Sequence, residues 1–442
     1  MADGVRPDLL LPALTIAHMI REGEASCAEV LEAHLLRIAA SNARLGAIVQ
    51  LAADRARETA ARWDRAIARG YHCPPLAGVP FTVKDWIEVE DLICAAGFEE
   101  RRDYVPMHTA PVVERLRNAG AIMLGKTKCG TRTDVYPRPN NPYDAARTPG
   151  ASSSGDAAAV ASGMSAIGIG SDSGGSLRFP AHCCGVATLK PTNGRVPSTG
   201  HFPRIIALCD TRTVIGPMAR AASDLYAVMC AITGPDGCDA SVVPMPLGDP
   251  ARVDLRGGQA AAYSDMPGVA TTPETVGAVR VACDALRDAG VEVHEDRPAR
   301  IEEARAITED YWARVESSSL HEWRPVGEHR LGTPEEVERH LFEWDRLRRA
   351  FYRFMNEYDL VVCPAAPWPA PRHGEERIDD YLYTLPFSLT GYPAAVVRCS
   401  TSPEGLPIGV QIVASPWRDE VAIAAACVVE AASGGWQKPR PI

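Results

Sequence analysis

Apolar and polar positions in the first seventy residues follow helical spacing. From Cys27 onward, apolar side chains recur every three or four positions, and "SCAE" just before them has the spacing of a capping box. A second stretch, rich in alanine and arginine, extends from Leu51 to Arg69 and precedes Gly70, a residue type that commonly ends helices. The pattern therefore predicts two N-terminal helices.

The next hundred residues alternate between short apolar runs and helical patterns. The runs that read as strands are "GVPFTVKDW", "AIMLGK" and "MSAIGIG", and those that read as helices are "APVVERLRNAG" and "DAAAVASG". Strands joined through helices are typical of a parallel or mixed sheet with helices on both faces. The sequence therefore predicts an α/β fold.

The second half of the chain begins with a segment rich in proline, glycine and aspartate. A helix and strand in "TPETVGAVRVACDALRDAGVEVHED", a helical stretch over 301–357 and two more strands, "YDLVVCP" and "PIGVQIVAS", follow before a last helix. We expect a single domain over 1–442, divided into N-terminal helices (1–70), a core (71–235), a connection with a helical excursion (236–357) and a return to the core sheet (358–442).

Composition narrows the classes of function. The chain has 442 residues, 46% hydrophobic and 23% charged, which is ordinary for a globular protein. A net charge of −10 without any basic run argues against nucleic acid as a partner. No apolar stretch approaches the roughly 18 residues that span a bilayer, and no secretory signal is apparent. Thirteen cysteines without a CxxC pair fit a reducing compartment, so we expect a cytoplasmic protein without a membrane partner.

Lysine is rare in this chain, because five of its 46 basic residues are lysines and arginine supplies the rest. A lysine that is buried can lose its charge and act as a base, which an arginine cannot do. Lys84 follows the strand "VPFTV", where strand ends of α/β sheets form sites. The alternative for Lys84 is a salt bridge to Asp85 or Glu88.

Two glycine- and serine-rich stretches, "TPGASSSGDAAAV" and "SDSGGSLRFP", lie between strand and helix patterns. This context excludes domain linkers, and the P-loop and G-x-S-x-G spellings are absent. Glycines beside serines allow backbone N–H groups to form an oxyanion hole, but a serine nucleophile also needs a base. Neither stretch contains a histidine, and the nearest, His182, is predicted to be structural. A Ser–Lys arrangement, a known variant of the catalytic triad, therefore remains.

The order of motifs resembles the amidase signature family of hydrolases, which use a Ser–cis-Ser–Lys triad. The resemblance extends over nearly the whole chain and rests on "GVPFTVKDWIEV", "GKTKC", "NPYDAARTPGASSSGDAAAVASG", "IGSDSGGSLRFPAHCCGVATLKPTNGRV", "GPMAR", "LTGYPAAVV" and "GLPIGVQIVAS". It implies the amidase signature fold, in which a large mixed β-sheet core is covered by helices on both faces.

The resemblance also implies roles by position. Lys84 corresponds to the general base, Ser176 to the nucleophile, and Ser152 to a bridging serine behind a cis Ala151–Ser152 peptide. The implied oxyanion-hole amides are those of Ser173, Gly174, Gly175 and Ser176, and the implied supporting side chains are those of Ser153, Ser171, Asp172 and Arg178. No cofactor and no metal are implied.

Three positions of the first serine-rich stretch depart from the family's pattern, and Lys128 and Ser388 stand where asparagine is common. Ala151 and Ser154 stand where glycines are usual, and Asp156 adds a carboxylate near the relay. That carboxylate could be neutralised by the N-terminus of the adjoining helix, or it could face Lys84 and raise the pKa of the amine.

The expected function is hydrolysis of a small or medium carboxamide through a Ser176 acyl-enzyme. Three alternatives remain open: an acyltransferase that passes the acyl group to an amine, the amide-cleaving subunit of an amidotransferase, and a non-catalytic binding protein. A homodimer is common in the family. Arg132, Arg138 and Arg204 are candidates for binding a substrate carboxylate, although solvated surface positions are the alternative for each.

Overall fold

The computed structural model describes residues 9–439 except 132, 206–209, 211, 313–315, 318–324 and 327–331, and only the backbone of 316–317 and 325–326. Arg132 therefore lies outside the described residues, as does much of the segment between the two helices found within 301–357. Within the described part, no helix is long and apolar enough to cross a membrane.

Twelve α-helices occur in the described residues. In chain order they are α1 Ala13–Arg21, α2 Cys27–Leu45, α3 Ala53–Ala68, α4 Pro111–Asn118, α5 Ser154–Ala161, α6 Arg178–Cys184, α7 Ala222–Ile232, α8 Pro273–Asp288, α9 Ala304–Trp312, α10 Pro334–Phe354, α11 Leu385–Leu389 and α12 Asp419–Ser433. The predicted capping box is present at α2, where Ser26 Oγ accepts from the Glu29 N–H and the Glu29 carboxylate accepts from the Ser26 N–H.

The described strands are β1 Ile48–Leu51, β2 Pro80–Lys84, β3 Ile122–Thr127, β4 Ile167–Asp172, β5 Ala187–Lys190, β6 Val214–Ala219, β7 Gln259–Ala262, β8 Glu292–Glu295, β9 Glu316–Ser317, β10 Pro325–Val326, β11 Leu360–Pro364, β12 Ala394–Thr401 and β13 Pro407–Ala414. Eleven of them form one sheet in the order β1-β3-β2-β4-β6-β5-β12-β13-β11-β7-β8. The sheet is mixed, because β2 runs parallel to β3 and β4 whereas β6 is antiparallel to β4 and β5.

Helices cover both faces of this sheet. Along β12, Ala395 and Val397 join the cluster that includes α8 and α12, whereas Val396 between them packs with α5 and α6. Successive side chains of a strand point to opposite faces, so these two helical layers lie on opposite sides. The predicted α/β class, a large mixed sheet with helices on both faces, is therefore confirmed.

The parallel pairing of β2 and β4 brings the two sequence motifs together. Phe81, Thr82 and Val83 pair in register with residues 167–169, so the two strands end at the same edge. Lys84 is the last residue of β2 and Asp172 is the last of β4. The lysine and the glycine-rich loop that follows Asp172 therefore meet at one edge of the sheet.

Five strands of the sheet were not predicted. The strands β5, β6, β7 and β12 were not recognised, and of β1 only Leu51 was assigned, to the start of a helix that begins at Ala53. Both β1 and β7 have four residues, and β7 reads "QAAA", which carries neither alternation nor β-branched side chains. Such strands form because neighbouring strands supply hydrogen bonds, a contribution that local sequence does not reveal.

We expect Ser26→Ala to lower the free energy of unfolding by about 1 kcal/mol, because the N-terminal amides of α2 lose their side-chain acceptor. Urea denaturation measures this change. Ser26→Asp, which retains an acceptor at the same position, should unfold close to wild type. Equal losses in both variants would contradict a capping role.

Candidate active site

A buried amine lies at the centre of the site. The Lys84 side chain has no exposed surface, and its Nζ is 2.6 Å from Ser152 Oγ and 2.9 Å from Ser171 Oγ. The Trp86 ring covers the amine, with its centroid 4.1 Å from Nζ. Two hydroxyls and an aromatic ring thus replace water around this group.

The environment of Lys84 makes its amine easier to deprotonate than that of an exposed lysine. Burial lowers the pKa of Lys84 to about 8, although the negative charges of Asp156 and Asp172 oppose that shift. The alternative of a salt bridge is not what is found, because Asp85 accepts from the Ala96 N–H and faces Lys126, and Glu88 faces Arg101. Lys84 can therefore act as a base near neutral pH.

Asp156 is the departure from the family's pattern that acts on the amine. Its Oδ1 accepts a 2.6 Å hydrogen bond from Thr127 Oγ1, and its Oδ2 is buried without a partner among the described residues. Burial raises the pKa of Asp156 to about 7, although the positive charge of Lys84 opposes the increase. Asp156 lies in the first turn of α5, where the helix N-terminus favours its charge, and that charge also acts to raise the pKa of Lys84, so the two alternatives do not exclude each other.

A tight turn before α5 brings Ser152 to the lysine. Gly150 has φ of 117°, and a Cβ there would lie 2.5 Å from Pro180 Cα, so only glycine fits. Ala151 packs in an apolar cluster with Leu177 and Phe179. The turn therefore lies against the loop and helix that follow β4.

The expectation of a cis Ala151–Ser152 peptide is wrong for this structure. Within the described residues the cis bond is Phe202–Pro203, and Ala151–Ser152 is trans. The trans form is favoured by about 3–4 kcal/mol for a non-proline residue.

The loop after β4 is organised by one carboxylate. Asp172 accepts hydrogen bonds from the backbone N–H groups of Gly175 at 2.8 Å, Leu177 at 3.1 Å and Arg178 at 3.4 Å. These bonds fold the chain around Asp172 and leave Ser176 half-buried at the apex. Ser176 Oγ makes no hydrogen bond within the described part of the chain, so its rotation is not restricted by one.

Arg178 neutralises this buried carboxylate. Its Nε and Nη2 donate to the two Asp172 oxygens at 3.0 and 2.9 Å, and both side chains are inaccessible to solvent. The remaining donors bind groups from the C-terminal part of the chain: Thr384 O, Ser388 Oγ and Gln411 Oε1. Although burial opposes it, the charge and hydrogen bonds of Arg178 hold the pKa of Asp172 below its ordinary value.

The backbone amides predicted for an oxyanion hole are not equivalent. Gly175 already donates its N–H to Asp172, whereas the N–H groups of Ser173, Gly174 and Ser176 have no acceptor among the described residues. Gly175 has φ of 136°, and a Cβ there would lie 2.3 Å from Thr384 Oγ1. Gly175 therefore shapes the loop, and the other three amides are available to a ligand.

His201 extends the network and was missed by sequence reasoning. Its Nδ1 lies 2.8 Å from the Pro203 carbonyl and must carry the hydrogen, so Nε2 accepts from Ser171 Oγ at 2.8 Å. Burial and the charge of Lys84 lower the pKa of His201 to about 4, so it stays neutral. Ser171 can consequently receive a hydrogen bond from Lys84. His201 lies outside both glycine-rich stretches, and no motif pointed to it.

The other sequence-predicted residues have structural surroundings. Ser153 Oγ donates to the Ser171 carbonyl and accepts from the Ser171 N–H, which joins the two loops. His182 is buried, with its ring nitrogens on backbone groups of Trp368 and Gly409, as its predicted structural role requires. No cluster of metal-binding side chains occurs among the described residues.

The comparison with protein families identifies one match. The model of the Amidase family matches residues 29–331 and 324–422. The match includes both glycine-rich stretches, Lys84 and the C-terminal residues Thr384, Ser388 and Gln411 that Arg178 contacts.

Curated relatives of similar length include proteins with different activities. The chain is 31% identical to a subunit of the glutamyl-tRNA(Gln) amidotransferase of Roseiflexus sp. (strain RS-1), over 93% of this chain and 94% of the relative. It is also 31% identical to an indoleacetamide hydrolase of Bradyrhizobium diazoefficiens, over 96% of this chain and 86% of the relative.

Solved structures show the same fold. A 6-aminohexanoate cyclic dimer hydrolase complexed with its substrate matches with a TM-score of 0.85 and 26% identity, over 98% of this chain and 99% of that one. An aryl acylamidase of the amidase signature family matches with a TM-score of 0.82 and 22% identity, over 96% of each chain. The predicted amidase signature fold is confirmed.

We expect Asp172→Asn to lower the free energy of unfolding by about 3–5 kcal/mol, because Arg178 would keep its buried charge without a counter-ion. Urea denaturation followed by circular dichroism measures the loss.

The matched control is Asp254→Asn. Asp254 binds Arg256 at 2.7 Å, a distance like that of the buried pair, but both side chains are mostly exposed. Solvent already screens that pair, so its loss should change the unfolding midpoint very little. A similar loss in both variants would contradict the role given to burial.

Proposed function

The chain belongs to the amidase signature family, and from this premise we propose that Ser176 is the nucleophile that cleaves a small or medium carboxamide. The family makes the protein an amide-hydrolysing enzyme, and the roles of individual residues are what we add. The observation that carries the proposal is the 2.6 Å contact between the buried Lys84 amine and Ser152 Oγ.

Lys84 begins the proton relay. In its neutral form, Nζ has one lone pair, which can accept the Ser152 hydroxyl hydrogen, while one N–H donates to Ser171 Oγ. His201 supports this arrangement because it accepts the Ser171 hydroxyl hydrogen and leaves the Ser171 oxygen open to the amine. Ser152 Oγ then accepts the hydrogen of Ser176 as the nucleophile attacks the amide carbonyl.

The loop after β4 stabilises the resulting oxyanion. The N–H groups of Ser173, Gly174 and Ser176 are the donors we assign to it, because the Gly175 N–H is bound to Asp172. One such donor is typically worth about 2.7–4 kcal/mol of transition-state stabilisation. The relay returns a proton to the departing amine, and a water molecule, activated by the same groups, then hydrolyses the acyl-enzyme.

A second candidate function is that of an amidotransferase component, which is supported by relatives such as the Roseiflexus protein. The equal identity to a hydrolase gives no preference between the two. Amide hydrolysis by the purified chain alone would favour a self-sufficient amidase. Product formation that rises with an added amine at the expense of the free acid would favour the acyltransferase.

We expect a fluorophosphonate probe to label the wild-type protein at Ser176, and Ser176→Ala to abolish both labelling and amide hydrolysis. Ser153→Ala serves as the matched control, because the hydrogen bonds of this buried serine go to the Ser171 backbone. It should retain labelling. Hydrolysis that persists in Ser176→Ala would contradict the proposed nucleophile.

We expect kcat/KM of the wild type to rise with pH through the Lys84 pKa of about 8, since only the neutral amine is a base. The charge of Asp156 raises that pKa, so Asp156→Asn should move the midpoint of the rise to lower pH. A pH–rate profile measures the shift.

The control for this profile is Glu88→Gln, which removes a carboxylate that faces Arg101 and not the amine. Its midpoint should match the wild type. A midpoint for Asp156→Asn that is unchanged, or moved to higher pH, would contradict the proposed coupling between Asp156 and Lys84.

A further inference from the structure

Arg212 differs from the other large buried arginines. Arg178, Arg195, Arg212 and Arg220 each have at most 2% of their surface exposed. Among the described residues, Arg178 and Arg195 donate from all three guanidinium nitrogens, and Arg220 donates from two. The Arg212 side chain donates no hydrogen bond within the same part of the chain, and its Nε and Nη1 are buried without acceptors.

The surroundings of Arg212 hold its position without using its donors. The guanidinium carbon lies 3.2 Å from the centroid of the Tyr311 ring, which is a stacking contact. Asp210 Oδ1 lies 3.6 Å from Nε, too far for a hydrogen bond. The Asp210 oxygens instead accept from the backbone N–H groups of Arg212 and Thr213 and from the Thr213 hydroxyl.

Arg212 is adjacent to the loop after β4 that carries the amides assigned to the oxyanion, residues 173–176, here called the oxyanion loop. It lies just before β6, whose Val214 pairs with Asp172, and the next residue, Thr213, is joined to Ser173 Oγ at 2.7 Å. Thr213 donates its hydroxyl hydrogen to Asp210, so the Ser173 hydroxyl is the donor in this contact. The arginine and the oxyanion loop are thus linked through a single pair of hydroxyls.

Two consecutive aromatic residues of α9 contact Arg212 and the oxyanion loop. Tyr311 stacks on Arg212, and the next residue, Trp312, lies against Gly174, where an added Cβ would be 2.9 Å from the indole ring. Gly174 carries one of the amides assigned to the oxyanion. Arg212 and this loop therefore both pack against neighbouring aromatic residues at the end of α9.

A buried guanidinium with unfilled donors is costly, and a carboxylate is the group that best fills them. A single arginine whose charge is partly balanced by Asp210 matches one carboxylate better than a phosphate, which needs more donors. We propose that Arg212 binds a carboxylate on the substrate, so that the enzyme acts on amides that carry an acidic group. This inference rests on the proposed function of the Ser176 loop. It replaces the exposed Arg138, which is paired with Glu376, as a carboxylate-binding candidate.

The first test compares paired substrates. Succinamate carries a carboxylate at the end opposite its amide, and pentanamide carries a methyl group there. We expect the wild type to have the higher kcat/KM for succinamate, and Arg212→Gln to reduce the ratio of the two values roughly 10- to 100-fold. Arg212→Lys keeps the positive charge but not the planar guanidinium that can donate two parallel hydrogen bonds, so the ratio should fall by a smaller factor than in Arg212→Gln. Arg138→Gln, the matched control, should keep all of it.

The second test measures binding without turnover. In a Ser176→Ala background, calorimetry should detect succinamate, and adding Arg212→Gln should raise its Kd at least about tenfold. Thermal unfolding of each variant checks that the fold is retained, and a variant that unfolds is replaced by Arg212→Lys. An unchanged Kd, no detectable binding to the Ser176→Ala protein, or a wild type without preference for succinamate would overturn the inference.

Failure of the proposed function would look different. If Ser176 were not the nucleophile, Ser176→Ala would still hydrolyse amides, while the effect of Arg212→Gln on the substrate ratio and on the Kd would remain. If Arg212 does not bind a carboxylate, the Ser176 variants would behave as proposed. Arg212→Gln would then change neither the ratio of kcat/KM values for the two substrates nor the Kd for succinamate.

Discussion

The site depends on keeping one amine out of water. Lys84 ends a strand that has neighbours on both sides in an eleven-stranded sheet, and this backbone pairing fixes its position. Burial disfavours its charge, and two serine hydroxyls and an indole ring take the place of the lost hydration. A lysine on the surface keeps a pKa of about 10.4, so a far smaller fraction of its amine is neutral and able to accept a proton from a serine.

A second buried charge sets the shape of the loop that faces this amine. Asp172 binds three backbone amides of the loop and two nitrogens of Arg178. Because the carboxylate takes the Gly175 N–H, the neighbouring amides remain for a ligand. The same ion pair ties the loop to the C-terminal part of the chain through Ser388 and Gln411. The buried ion pair thus both orders the loop and joins it to the C-terminal part of the chain.

The sequence motifs pointed to Lys84 and Ser152, which the structure brings together, but not to every side chain around them. The role of Ser176 remains a proposal. The cis peptide before Ser152 was wrong, and His201 and Arg212 were missed. Neither residue belongs to a recognisable motif. His201 contacts Ser171, and Arg212 contacts Tyr311, and both partners are distant along the chain.

The sequence by itself determined what depends on near neighbours: the capping box at Ser26, the apolar runs of six strands of the sheet, and the order of motifs that identifies the family. Only the tertiary structure decided which donors are filled. Besides the nearby Asp172, Arg178 has hydrogen-bond acceptors 206 to 233 residues away, whereas Nε and Nη1 of Arg212 have no acceptor among the described residues. The sequence does not distinguish these two arginines. A hydrogen bond requires the donor and acceptor atoms to lie about 3 Å apart, and the separation of two residues along the chain does not give that distance.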